Sequence, residues 1–209
     1  NIINGVAFDR KFKIKINDNF QEINFKLLNT GINVDINFKE IKKNTPIDGT
    51  VKAKVLNSNL KFDFEYDKEK LKIYNSYFRN KKLSFNNKTT ITFHPFFEVT
   101  SSYIIEDINT KLFKNLNINK ILDSKNLIKK INSKNIINYK SKKFSRSLID
   151  DLNLNIDLAY GRLVYSKNFT ISENFFNCAG DINLLEEYPK LFFNCSVISK
   201  DKKKLLKKF

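Results

Sequence analysis

Few residues in this chain can do acid–base, nucleophilic or metal chemistry. His94 is the single histidine, and it precedes Pro95 with no nucleophile motif such as G-x-S-x-G nearby. An imidazole base or triad has only this residue to draw on, and its place beside a proline reads as structural. Asp150-Asp151 and Glu186-Glu187 are adjacent carboxylates. Neighbours on a strand point to opposite faces, so neither pair forms the facing couple of a glycosidase. Both read as solvated turn residues. One histidine and two cysteines are too few for a zinc ribbon or a multi-histidine centre. No catalytic residue, metal or cofactor is expected.

Cys178 and Cys195 flank the turn at Glu186-Glu187 symmetrically, each on the apolar side of its strand. A simple hairpin register places them opposite one another, where an oxidising compartment permits a disulfide. The other reading is two buried thiols acting as small hydrophobes. The matches to N-x-S/T at Asn87, Asn168 and Asn194 are what an Asn-rich chain produces by chance and carry no weight.

The elements that position these residues announce themselves by period two. Phe12, Ile14 and Ile16 alternate with lysines, and Ile23, Phe25 and Leu27 follow a turn at Asn17–Asn19. The alternation continues through Val34 and Ile36, Phe62 and Phe64, Ile73, Phe85, Phe93, Val99 and Tyr103. It resumes at Ile137 and runs through Ile156, Tyr165, Phe176 and Phe193. Between Ile108 and Ile131 the spacing becomes helical, with Asp123-Ser124 dividing two short helices. About a dozen short strands with tight turns predict an antiparallel meander of hairpins. The prediction is therefore a mainly β chain: one β-rich domain over 1–209, with a single helical insert at about 108–131.

Composition agrees. The 209 residues include 41% hydrophobic side chains but only 5 Gly and 3 Pro, which excludes collagen-like, linker-like and disordered chains. The 38 Lys+Arg against 22 Asp+Glu give a net charge of +16. The lysines fall mainly on the polar side of strands, as in Lys11, Lys13, Lys15, Lys52 and Lys54. That is a solvated face, or one attracted to anionic surfaces. Nucleic acid is not the expected partner, because the Phe residues alternate away from the lysines and leave no basic stacking platform. The chain has no Met and begins Asn1-Ile2-Ile3, which reads as an internal piece of a longer protein whose anchor lies elsewhere.

A face rich in Phe, Ile and Leu must be covered. The sheet can close as a sandwich or barrel, pack on the rest of a longer chain, or curl into an open groove that holds acyl chains. The pattern alone favours the first. The stretch from Gly49 to Ile108, with VKAKVLNSNLKFDFEYDKEKLKIYNSYFRNKKLSFNN, then ITFHPFF and YIIEDIN, resembles the AsmA-like proteins of Gram-negative envelopes. LNLNIDLAYGRLVY, FFNCAGDINLL and YPKLFFNCSV resemble the family's later strands. The resemblance implies a twisted β-sheet curled into an open groove in the periplasm, anchored in the inner membrane by a segment outside this sequence. It implies phospholipid, or another acyl-chain lipid, and the remainder of the parent chain as partners, with no enzymatic activity. The groove lining is then Phe12, Ile14, Ile23, Phe25, Val34, Ile36, Phe62, Phe64, Ile73, Phe85, Phe93, Ile156, Phe176 and Phe193. The alternative is a sandwich or solenoid structural or adhesion module with a closed core.

Overall fold

A computed structural model describes residues 1–7, 9–39, 45–108, 128–141, 148–200 and 203. Fourteen strands account for most of them: β1 Ile2–Ala7, β2 Arg10–Ile16, β3 Glu22–Leu27, β4 Ile32–Phe38, β5 Ile47–Val55, β6 Ser58–Tyr66 and β7 Lys70–Arg79. Then come β8 Leu83–Thr92, β9 Glu98–Ile108, β10 Asn132–Lys140, β11 Asp151–Ala159, β12 Arg162–Ile171, β13 Asn174–Asn183 and β14 Leu191–Ile198. All fourteen join one sheet in chain order. The sheet is curled and open: it does not close into a barrel, and β1 and β14 are its edges.

Several expectations are refined. Ile2–Ala7 forms a separate strand ahead of the alternation that begins at Phe12. Leu83 with Phe85, and Ile91, belong to one long strand. The expectation of an antiparallel meander throughout needs one correction, since β10 runs parallel to β9. A parallel neighbour requires a long crossover, and residues 109–131 supply the length. The helical insert expected at about 108–131, with its Asp123-Ser124 division, falls largely on 109–127, outside the described residues. Ile108 ends β9, and Ile128 is helical and buried.

Hairpin geometry explains the tight connections. Tyr160 and Gly161 have φ of 50° and 82°, and Ser172 and Glu173 have 48° and 67°. Two consecutive left-handed residues match the right-handed twist of the strands they join. Ser172-Glu173 lacks glycine, and side chains hold it instead. The Asn174 amide donates to the carbonyls of Ile171 (3.0 Å) and Ser172 (2.9 Å), while Asp150 Oδ2 accepts from the Ser172 N–H at 2.6 Å. Asn174 is fully buried, and its Oδ1 accepts from Ser199 at 2.6 Å.

The curl follows from the inner face. Among the described residues no second layer covers it, yet Leu27, Phe64, Tyr139, Ile171 and Cys178 are buried there. Side chains on one face of a single sheet bury each other only when the sheet bends toward them. Gly49 lies between Phe38 and Phe64 in the register, and their rings meet across it at 5.8 Å, edge to face. A Cβ at Gly49 would stand 3.0 Å from the Phe64 ring and 2.3 Å from a backbone oxygen of Asn37. Glycine at such a position lets the sheet bend tightly under an aromatic ring.

Candidate functional site

The inner face is laid out in rows across the strands. One row takes one residue from every strand: Ile3, Ile14, Phe25, Val34, Ala53, Leu60, Phe78, Phe85, Ile105, Tyr139, Leu152, Phe169, Phe176 and Val197. It is apolar or aromatic from one edge of the sheet to the other. Ring contacts reinforce it: Phe78 stacks on Phe85 at 4.9 Å, and Phe169 on Phe176 at 4.6 Å. Such pairs add roughly 0.5–1.5 kcal/mol each beyond their burial.

By register, thirteen of the fourteen residues named for the lining share the parity of this face. Ile14, Phe25, Val34, Phe85 and Phe176 lie in the continuous row. Phe12 pairs with Leu27, and Ile23 with Ile36. Phe62 pairs with Val51, Phe64 with Ile73, Ile156 with Tyr165, and Phe193 with Gly180. Phe93 follows the end of β8, and its ring meets those of Tyr66 and Phe97, each at 6.3 Å. Tyr77 shares the parity of Ile73 in the sequence, yet it pairs with Lys61 on the outer face. A bulge at Asn75, where φ is 48°, shifts the parity, and Phe78 takes the inner place. The bulge is pinned from the outer face by Asp63, whose carboxylate accepts from Asn75 Nδ2 at 2.9 Å and Thr50 Oγ1 at 2.7 Å. Those hydrogen bonds hold the Asp63 carboxyl below its ordinary range.

The sequence reading missed two departures from an apolar lining. The first is a polar seam beside the continuous row. The row that includes Phe64 and Ile73 continues through Thr89, Ser101 and Asn135. Thr89 and Ser101 hydroxyls are hydrogen-bonded at 2.9 Å, both buried, and Asn87 Nδ2 donates to Thr89 Oγ1 at 2.8 Å. Ser76 hydrogen-bonds the backbone and side chain of Asn87. The seam is satisfied within the protein, as buried polar groups must be. The second is Lys167, which pairs with Leu154 on one side and Cys178 on the other. Its Nζ lies 5.5 Å from the Phe169 ring centre and 5.9 Å from that of Tyr165.

Cys178 stands opposite Cys195, with α-carbons 4.1 Å apart, and a disulfide joins them. Cys178 is 3% exposed and lies on the inner face.

The outer face carries the lysines. Lys39 pairs with Asp48 at 2.5 Å, Lys72 with Glu65 at 2.6 Å, Lys134 with Glu98 at 3.0 Å and Arg162 with Asp181 at 3.0 Å. The carboxylate partners raise the pKa of Lys39, Lys72 and Lys134, chiefly through the hydrogen bond itself. Pairs this exposed are screened by solvent and add little to stability.

The acid–base candidates do not converge. His94 precedes a cis peptide bond to Pro95 in the loop after β8. Asp150 is committed to the Ser172 turn, and Glu186 accepts from Asn183 at 3.2 Å. Among the described residues no group of three His, Cys, Asp or Glu is arranged to hold a metal. No helix among them is long and apolar enough to cross a membrane. Comparison with family models, curated proteins and solved structures finds no match to the chain.

Proposed function

We propose that this chain is a non-enzymatic lipid-handling segment of an AsmA-like envelope protein, in which the inner face accommodates acyl chains passing between inner and outer membrane. The observation that carries the reading is the apolar row that crosses all fourteen strands without interruption, on a curled sheet with no covering layer among the described residues. Each large apolar side chain left in water forgoes roughly 1.5–3 kcal/mol. An acyl chain laid along the row recovers that energy while its head group stays in solvent. The envelope location, the membrane anchor and a continuation of the sheet in a longer chain belong to the same proposal. A sandwich needs two facing sheets, and the described strands form one.

The test is lipid capture by the purified chain, with a photoreactive residue at position 156 on the inner face and a control at its outer-face neighbour, position 155. The reading expects co-purifying phospholipid in native mass spectra and lipid crosslinks from 156 but not from 155. A folded chain with no bound lipid, or with equal crosslinking from both positions, sinks it and leaves the structural-module reading ahead.

A further inference from the structure

Lys167 is out of place. Every other charged side chain within the described strands that shares the inner parity can be named in one word: Arg10, at the first position of β2. Lys167 is instead in mid-strand, in a row between Leu154 and Cys178 and flanked along β12 by Tyr165 and Phe169. No carboxylate among the described residues pairs with it, in contrast to Lys39, Lys72 and Lys134 on the outer face. Two aromatic faces within 6 Å hold the ammonium over the inner surface.

Its neighbour extends the feature. Tyr165 lies over Gly180, where an added Cβ would come within 2.8 Å of the ring and of the hydroxyl. The bare glycine thus leaves the phenol its place on the inner face, and among the described residues its hydroxyl has no hydrogen-bond partner. Among the described residues, one strand therefore presents an unpaired cation and an unengaged O–H donor two residues apart on the inner face, away from the hydrogen-bonded seam of Thr89 and Ser101.

We infer that Lys167 and the Tyr165 hydroxyl form the head-group site of the groove, selecting an acyl lipid with an anionic phosphate head. This rests on the lipid-groove reading. Filling the face with acyl chains removes water from the ammonium, and a buried unpaired charge is costly. The occupant must then bring the counter-charge. Phosphate supplies it with several acceptor oxygens, and charge-assisted hydrogen bonds to it are among the stronger ones available.

The experiment compares phosphatidic acid with diacylglycerol of the same acyl chains. Both are presented in non-ionic micelles and compete against a fluorescent acyl probe bound to the full chain. The wild type should prefer phosphatidic acid by about tenfold, the scale of one good charge-assisted contact. Lys167→Met should abolish the preference while keeping diacylglycerol binding, and Lys167→Arg should retain it. Lys13→Met, on the outer face, controls for the general positive charge and should leave the preference intact. An unchanged preference in Lys167→Met, or equal losses in Lys167→Met and Lys13→Met, overturns the assignment and leaves the groove reading standing. Displacement of phosphatidic acid by millimolar inorganic phosphate also overturns it, by making the site one for a free anion. Failure of both lipids to bind the wild type overturns the groove reading and this one together.

Discussion

The two ends of the sheet divide their polarity differently. From β2 to β7 the faces are cleanly sorted: Phe12, Ile14, Phe25, Val34, Phe62 and Phe64 point in, and Lys11, Lys13, Lys26, Lys52, Lys61 and Lys72 point out. From β12 to β14 the sorting breaks down on both sides. Lys167 stands on the inner face, while Val164, Phe175, Phe192 and Ile198 are exposed on the outer one. In β14 the inner residues are exposed too, Phe193 at 66% beside Phe192 at 64%. A sheet with one sorted face needs one covering. The last hairpin has unmet apolar surface on both faces, and no charged side chain in Leu191–Ile198 guards its edge.

The comparison can be broken at either end. The largest effect is expected at Phe64, which is 8% exposed. Phe64→Asp should cost at least about 4 kcal/mol, from the lost ring and the buried charge. Lys13→Glu on the opposite face should stay within about 0.5 kcal/mol. Urea unfolding of both variants checks this, and equal midpoints would mean that the β2–β7 region is not sorted as described. Next comes the staple at the other end. Cys195→Ser removes a crosslink of sequence separation 17, expected to cost about 3 kcal/mol. Stability of the variant unchanged from that of the oxidised wild type would show that the last hairpin holds without it.

Phe192→Lys should be nearly silent in the same assay, within about 0.5 kcal/mol, because the side chain is 64% exposed. A large loss there would reveal a covering of the outer face. The smallest effect concerns Asp63. Its depressed carboxyl contributes stability that is present above the unfolded value of about pH 4 and is lost as pH falls through the lower folded value. Asp63→Asn should flatten stability against pH in that acidic window and lower it slightly near neutrality, where the ionised carboxylate contributes in full. A variant curve parallel to wild type would remove Asp63 as the clasp of the Asn75 bulge.

Much of this fold was legible because a buried face imposes parity that composition cannot blur. Phe62, Phe64 and Ile73 could be assigned to one face from spacing alone, and the pairing of Cys178 with Cys195 followed from their symmetry about a turn. What escaped has physical causes. The Asn75 bulge adds a residue without any local sequence mark, so parity counted on from Ile73 puts Tyr77 on the wrong face. Thr89, Ser101 and Asn135 keep inward parity with polar side chains, so the apolar alternation has a gap there. The parallel pairing of β9 and β10 has only an indirect signature, the length of the segment between them. Lys167 was the most readable omission: Tyr165, Lys167, Phe169 and Ile171 share a parity, and a cation in that series marks a site.

The strictly consecutive order of the strands also bears on how the chain reaches and leaves this state. Substantial contacts join only neighbours in sequence, so the molecule behaves as a one-dimensional array, in which each hairpin depends on the next and folding can spread from any of several starting points. The junction of β9 and β10 is the exception. It alone cannot zip from an adjacent turn, and residues 109–131 must first be looped back. Cooperativity should therefore weaken there, giving two blocks, β1–β9 and β10–β14, that open separately. Native-state hydrogen exchange would register this as two groups of amides with distinct opening energies, whereas a single shared value across the junction would mean that the array melts as one.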